Sequence, residues 1–161
     1  MSKIGNKKIN SLENPEQYKV GTYVRTGAKI DGIDVVKFQK DRVEEYCIDL
    51  NLKIANWYID EGFDNFAEVR PSYDKLIQDI KDGKINMIVT ANLPRIARSK
   101  KEMLDLLKLQ KEYNFRTILS DSREELYKDR SAIDFKHYLD EDTELENAED
   151  EEYTGENDME V

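Results

Sequence analysis

The sequence is short of several things, and each shortage closes off a class of protein. A single cysteine, Cys47, in 161 residues excludes an internal disulfide framework and a cysteine-clustered zinc site. Its place on the apolar side of a helical pattern makes it ordinary core material. No apolar run reaches the length of a membrane span, and the opening Met1-Ser2-Lys3-Ile4-Gly5-Asn6-Lys7-Lys8 lacks the apolar centre of a signal peptide. A cytoplasmic protein without membrane contact is expected. The only histidine, His137, lies in a charged stretch and reads as a surface residue. Nothing in the composition asks for a metal or a cofactor, and no internal repeat is visible.

Charge is what the chain has in quantity, and it is unevenly placed. The formal net charge is −10, from 25 Lys and Arg against 35 Asp and Glu. After Tyr138 there is no Lys or Arg, while Asp and Glu number 12. Taking those 12 from 35 leaves 23 acidic groups against all 25 basic ones, so residues 1–138 carry about +2. The acidity belongs to a tail, and the body is nearly neutral. Such a balance opposes nonspecific affinity for nucleic acid, yet it leaves room for a local basic site.

A chain of this length makes one ordinary domain with a real core. Residues 1–18, polar and rich in Lys and Asn, read as a flexible leader. Residues 19–122 alternate strand and helix patterns. Val20 to Arg25 reads as a strand; Val36, Val43, Tyr46, Cys47 and Leu50 then keep helical spacing on one face. Lys53 to Ile59 is the next strand. Pro71 opens a helix with Tyr73, Leu76, Ile77 and Ile80, and Gly83 stands just past its end. Asn86 to Thr90 is a continuously apolar strand, as expected where both faces are covered. Ser99-Lys100-Lys101-Glu102 fits a capping box that opens a helix through Met103, Leu106, Leu107 and Tyr113. Phe115 to Leu119 is a fourth strand. This alternation predicts an α/β fold in three layers, with a mostly parallel four- to five-stranded sheet and helices on both faces. Residues 123–139 read as a short helical extension, and residues 140–161, acidic and without core material, as a disordered tail.

In a parallel sheet, ligands sit at the carboxyl ends of the strands. Arg25 to Gly27, Asp60 and Asn92 to Arg98 fall there, and three separated segments carry the arginines: Tyr23-Val24-Arg25-Thr26-Gly27, Arg70-Pro71, and Leu93-Pro94-Arg95-Ile96-Ala97-Arg98-Ser99. Guanidinium groups are always charged and donate in a planar fork that matches phosphate, so several converging arginines form an electrostatic clamp. Taken singly, Arg25 or Arg70 reads as a surface ion-pair residue, and Tyr23 equally as a core tyrosine or a site residue.

Taken together, the three segments resemble the catalytic domain of the serine recombinases, the resolvase/invertase family, over roughly residues 20–122. That pattern has Tyr-x-Arg-x-Ser on the first strand, Arg-Pro before the second helix, and Leu-Asp-Arg-x-x-Arg after the third strand. The resemblance implies a resolvase-like fold and site-specific DNA strand exchange through a serine linked covalently to DNA phosphate. It assigns Tyr23, Arg25, Asp60, Arg70, Arg95 and Arg98 to the site, with Arg25, Arg70, Arg95 and Arg98 binding phosphate. Gln39 falls near a family glutamine, one or two residues out of step.

Two positions depart from the pattern. Gly27 stands where the serine nucleophile belongs, and Pro94 replaces the aspartate. Thr26 has a hydroxyl, but neighbours on a strand point to opposite faces. No separate DNA-binding domain is expected in the stretch beyond Leu119, so DNA binding by this chain alone is expected to be weak. Three readings stay open. The chain is a catalytically degenerate domain with a binding or regulatory role, pairing with an intact recombinase, another protein or a second copy. It is an active recombinase using Thr26 or another hydroxyl. Or it is an interaction protein whose arginines hold a different anionic ligand.

Overall fold

The computed structural model describes residues 7–27, 34–62 and 69–126. Its elements are β1 (Lys7–Lys8), a 3-10 turn (Pro15–Gln17), β2 (Val20–Arg25), α1 (Val35–Asp49), β3 (Ile54–Asp60) and α2 (Pro71–Lys81). They continue with β4 (Met87–Thr90), α3 (Leu93–Ile96), α4 (Lys100–Tyr113), β5 (Arg116–Leu119) and β6 (Glu124–Glu125). The sheet has six strands in the order β1-β6-β5-β4-β2-β3. β2 pairs in parallel with β3 and β4, and β4 with β5, while β6 and β1 close the edge antiparallel.

β4 shows why the layers number three. All four of its residues are buried, and successive side chains enter different cores. Ile88 joins Leu76, Ile80, Met103, Leu106 and Leu107 of α2 and α4; Met87 and Val89 join Val43, Tyr46 and Cys47 of α1 and Leu50 just past its end. A strand with period two, covered on both faces, has to be apolar throughout. Gly21 serves the same packing from β2. A Cβ there would lie 2.9 Å from Leu76 Cδ1 and 3.0 Å from Tyr58 Cε2, so a bare backbone lets α2 settle onto the sheet.

The helix ends follow the sequence signals. Asp34 accepts from the Lys37 N–H at 2.9 Å and caps α1. Ser99 Oγ accepts from the Glu102 N–H at 3.1 Å, and Glu102 Oε1 accepts from the Arg98 N–H at 2.7 Å, so the box closes one residue earlier than its usual form. Gly83, with φ 81°, ends the turn beyond α2 in the left-handed region.

Three expectations change. The sheet has six strands rather than four or five, because the two-residue β1 and β6 extend its β5 edge; neither carries an apolar alternation to announce it. The described part of the leader belongs to the body: Lys7–Lys8 pair with β6, Ile9 is buried, and Tyr46 donates its hydroxyl to the Ile9 carbonyl. Where the helical extension was expected to begin, Glu124–Glu125 is a strand and Leu126 is buried against the α2/α4 core. The rest of that extension, His137 and the acidic tail at 140–161 lie outside the described residues. Among the described residues no helix is long and apolar enough to cross a membrane.

Candidate functional site

The chain runs from β2 out to β3 and then back across β2 to β4. The crossovers therefore diverge between β2 and β4, and in open parallel sheets the crevice that takes ligands lies at the carboxyl ends of the strands at such a point. Arg25 ends β2, Asp60 ends β3, and α3 with Arg95 follows β4. The three sequence segments converge there.

Asp60 organises one side. Fully buried, it accepts from the Tyr23 hydroxyl at 2.7 Å, from the Ser72 N–H at 2.9 Å and from the Tyr73 N–H at 3.1 Å. The last two are orphan donors of the first turn of α2, so Asp60 caps that helix from a neighbouring strand. Ser72 Oγ adds a bond to the Ile59 carbonyl at 2.8 Å. Burial, and then the hydrogen bond to Asp60, push the Tyr23 phenol far up, so it stays a donor. These bonds join the end of β3, the Tyr23 hydroxyl and the start of α2 at one carboxylate.

Arg70 is the residue this cap positions. Its guanidinium lies 3.9 Å from the Tyr73 ring centre and 5.9 Å from that of Tyr23, and Nη1 donates to the Ile96 carbonyl at 2.9 Å. Burial pushes the Tyr73 phenol up to about 12 against the pull of Arg70. A groove of about 310 Å³ opens beside it between α2 and α4, lined in part by Arg70, Tyr73, Ile77, Glu102 and Leu109.

Arg25 is 4 % exposed and is held from its backbone by Gln39: the Gln39 amide donates to the Arg25 carbonyl at 2.9 Å. The out-of-step glutamine of the sequence thus reaches the site after all. Arg95 Nη1 donates to the same Arg25 carbonyl at 3.0 Å, which links α3 to β2. Burial first, and then the charge of Arg70, hold the Arg25 guanidinium below its ordinary value. Burial and then Arg98 do the same to Arg95. Like charges crowded in a half-desolvated crevice are an arrangement that an anion relieves. Glu102 of α4 is the acidic group that Arg25 feels.

Gly27 is half-buried, two residues beyond Arg25. The period of the strand sends Tyr23 and Arg25 toward the α2/α4 face, where Arg70 lies. Gly27 follows the last residue of β2 by two positions and has no side-chain atom to attack with. Thr26 is 5 % exposed, and its hydroxyl donates to the Gly27 carbonyl at 3.4 Å while its N–H extends the ladder to the Asp60 carbonyl at 3.0 Å. Pro94 lies exposed in the first turn of α3, where a missing N–H costs no hydrogen bond. Cys47 is buried in the α1 core, and burial pushes its thiol up to about 12.

Sequence reasoning missed a second cluster on this edge. Asp121, just past β5, accepts from Arg42 Nε and Nη2 at 3.1 and 2.9 Å and from the Asn92 amide at 2.9 Å. The strand-end rule that picked out Arg25 and Asp60 also points to Asp121. It missed Ser72 and Tyr73 because their contribution is a backbone N–H, which no side-chain motif records.

A model of the resolvase N-terminal domain family matches residues 21–150. No curated protein matches the chain. Among solved structures it is similar to a resolvase family site-specific recombinase from Streptococcus pneumoniae, at 25% identity and TM-score 0.64, covering 86% of this chain and 95% of that one. The N-terminal catalytic domain of TP901-1 integrase is similar at 22% identity and TM-score 0.65, with 81% and 97% covered. The first ORF of transposon ISC1904 from Sulfolobus solfataricus P2 shares the fold at 22% identity and TM-score 0.51, with 63% and 66% covered.

Proposed function

The chain belongs to the resolvase N-terminal domain family, and from that premise we propose that it is a degenerate member, one that binds phosphate without the covalent step. The observation that carries this reading is Gly27, which stands two residues beyond Arg25 at the end of β2, where the family's serine belongs, and has no side-chain oxygen. A covalent exchange cannot begin without a nucleophile, however well the surrounding charges stabilise the phosphorane. Thr26, turned to the Gly27 carbonyl, is a poor substitute.

What survives is the clamp. Arg25, Arg70, Arg95 and Arg98 offer charge and forked donors to one phosphodiester, with Tyr23, Asp60 and Gln39 fixing their places. The similar Streptococcus pneumoniae protein, described as a site-specific recombinase, favours DNA as the source of that phosphate. The role is then a binding or regulatory one, exercised beside an intact recombinase, another protein or a second copy of the chain.

Two measurements on the full chain test the reading. Incubation with plasmid carrying the site of an intact relative, followed by denaturing electrophoresis, is expected to leave no protein–DNA adduct. Pyrophosphate titration is expected to show binding that weakens at least about tenfold in Arg95→Ala and Arg98→Ala, the loss of one charge-assisted contact each. A denaturation-resistant adduct overturns the degenerate reading; absence of anion binding overturns the clamp.

A further inference from the structure

Arg42 lies outside every motif that led to the site, yet the fold brings it to the same edge. It projects from α1 and grips Asp121 with two parallel bonds, Nε at 3.1 Å and Nη2 at 2.9 Å. Asp121 in turn holds the Asn92 amide at 2.9 Å, and Asn92 is the N-cap of α3, its carbonyl accepting from the Arg95 N–H at 3.1 Å. One carboxylate thus ties the arginine of α1 to the start of the helix that carries Arg95. The Asp121 N–H bonds the Ala91 carbonyl at 2.9 Å, which anchors the carboxylate at the end of the sheet.

We propose that Arg42 is a further anion-binding residue of this crevice, parked on Asp121 until a phosphate group takes that carboxylate's place. The proposal rests on the clamp reading above. A carboxylate held by a two-pronged guanidinium presents the same pair of acceptor oxygens that a phosphate presents, so one fork serves either. The exchange is easy in this position. The Arg42 side chain is 58% exposed and that of Asp121 is 28% exposed, and an ion pair so open to water holds its partners weakly. Arg95 feels the charges of both residues, so the pair belongs to the same electrostatic field as the clamp. Asp121 therefore does two things. It keeps Arg42 ordered at the crevice rim, and it competes with the ligand for that arginine.

Such a competitor makes a signed prediction for two substitutions on one contact. Isothermal titration of the full chain with inorganic pyrophosphate at low salt is expected to give binding roughly two- to fivefold weaker in Arg42→Ala. Asp121→Asn is expected to bind roughly two- to fivefold tighter, because the carboxylate is gone and the Asn92 amide keeps an acceptor. Arg42→Lys keeps the charge without the fork and is expected to fall between wild type and Arg42→Ala. A damaged fold cannot explain tighter binding, so Asp121→Asn separates this role from a structural one. Unchanged affinity in both Arg42→Ala and Asp121→Asn, with binding lost in Arg95→Ala, overturns the proposal and leaves the clamp standing. Absence of binding by the wild-type chain overturns both.

Discussion

Tyr23 and Asp60 end up 2.7 Å apart, hydroxyl to carboxylate, from adjacent parallel strands, and the bond is buried. Residues 23 and 60 meet because β2 and β3 pair in register, with Arg25 opposite Asp60 and Tyr23 opposite Tyr58. The same carboxylate caps α2, so a strand end, a helix start and the Arg70 stacked on Tyr73 are secured at one point.

Asp60→Ala is therefore expected to cost more stability than any single arginine of the site. It strips partners from two backbone N–H groups and a buried phenol, a loss of about 3 kcal/mol or more. Chemical denaturation measures it. A change below about 1 kcal/mol means that water replaces the carboxylate and that the cap is dispensable.

Gly27→Ser alone is expected to restore neither a covalent adduct nor strand exchange. A hydroxyl at position 27 returns the nucleophile, but Pro94 still occupies the aspartate position, and α3 holds it in a helical first turn. Recombination of a plasmid substrate, read as product bands, checks this; product from the single variant defeats it.

Stability is expected to fall in alkali. The folded state raises the Cys47 thiol from 9.0 to about 12, and the Tyr46 and Tyr58 phenols from 10.0 to about 12, with burial the largest cause in each. Above the unfolded values the unfolded chain binds fewer protons than the native one, so ΔG of unfolding drops as pH rises. The window runs from pH 9 to about 12, with Cys47 acting first. The slope approaches about 1.4 kcal/mol per pH unit for each group. In Cys47→Ala, denaturation curves between pH 9 and 10 are expected to flatten, whatever the variant's starting stability.

Removing residues 1–10 is expected to destabilise the domain by about 3 kcal/mol. The deletion exposes the core around Ile9, leaves the Tyr46 hydroxyl without its carbonyl, and uncovers the β6 edge. Thermal melting of the shortened chain tests it. An unchanged midpoint returns this segment to the role of a loose leader.

The three-layer fold was legible because its signals are local. Met87-Ile88-Val89 reads as a doubly covered strand, and Pro71, Gly83 and Ser99 to Glu102 mark helix ends by their own backbone chemistry. The strands β1 and β6 were not legible, since two residues each cannot display a period and Lys7, Lys8, Glu124 and Glu125 look like solvent-facing charge. Buried Glu125 is accounted for by the fork of Arg116, at 2.7 Å on both prongs, a pairing nine residues apart that only the hairpin creates.

The sequence by itself determined which chemical groups the site can contain. Four arginines, a tyrosine and an aspartate stand at strand and helix ends, and no serine stands at position 27; folding supplies no hydroxyl at that position. Tertiary structure decided what those groups are free to do. It spent Asp60 and Tyr23 on holding α2, brought Gln39 to the backbone of Arg25, and set Arg42 and Asp121 beside the helix of Arg95. The reason is geometric: hydrogen bonds between residues far apart in the chain exist only once strand register and crossovers place donor and acceptor within about 3 Å.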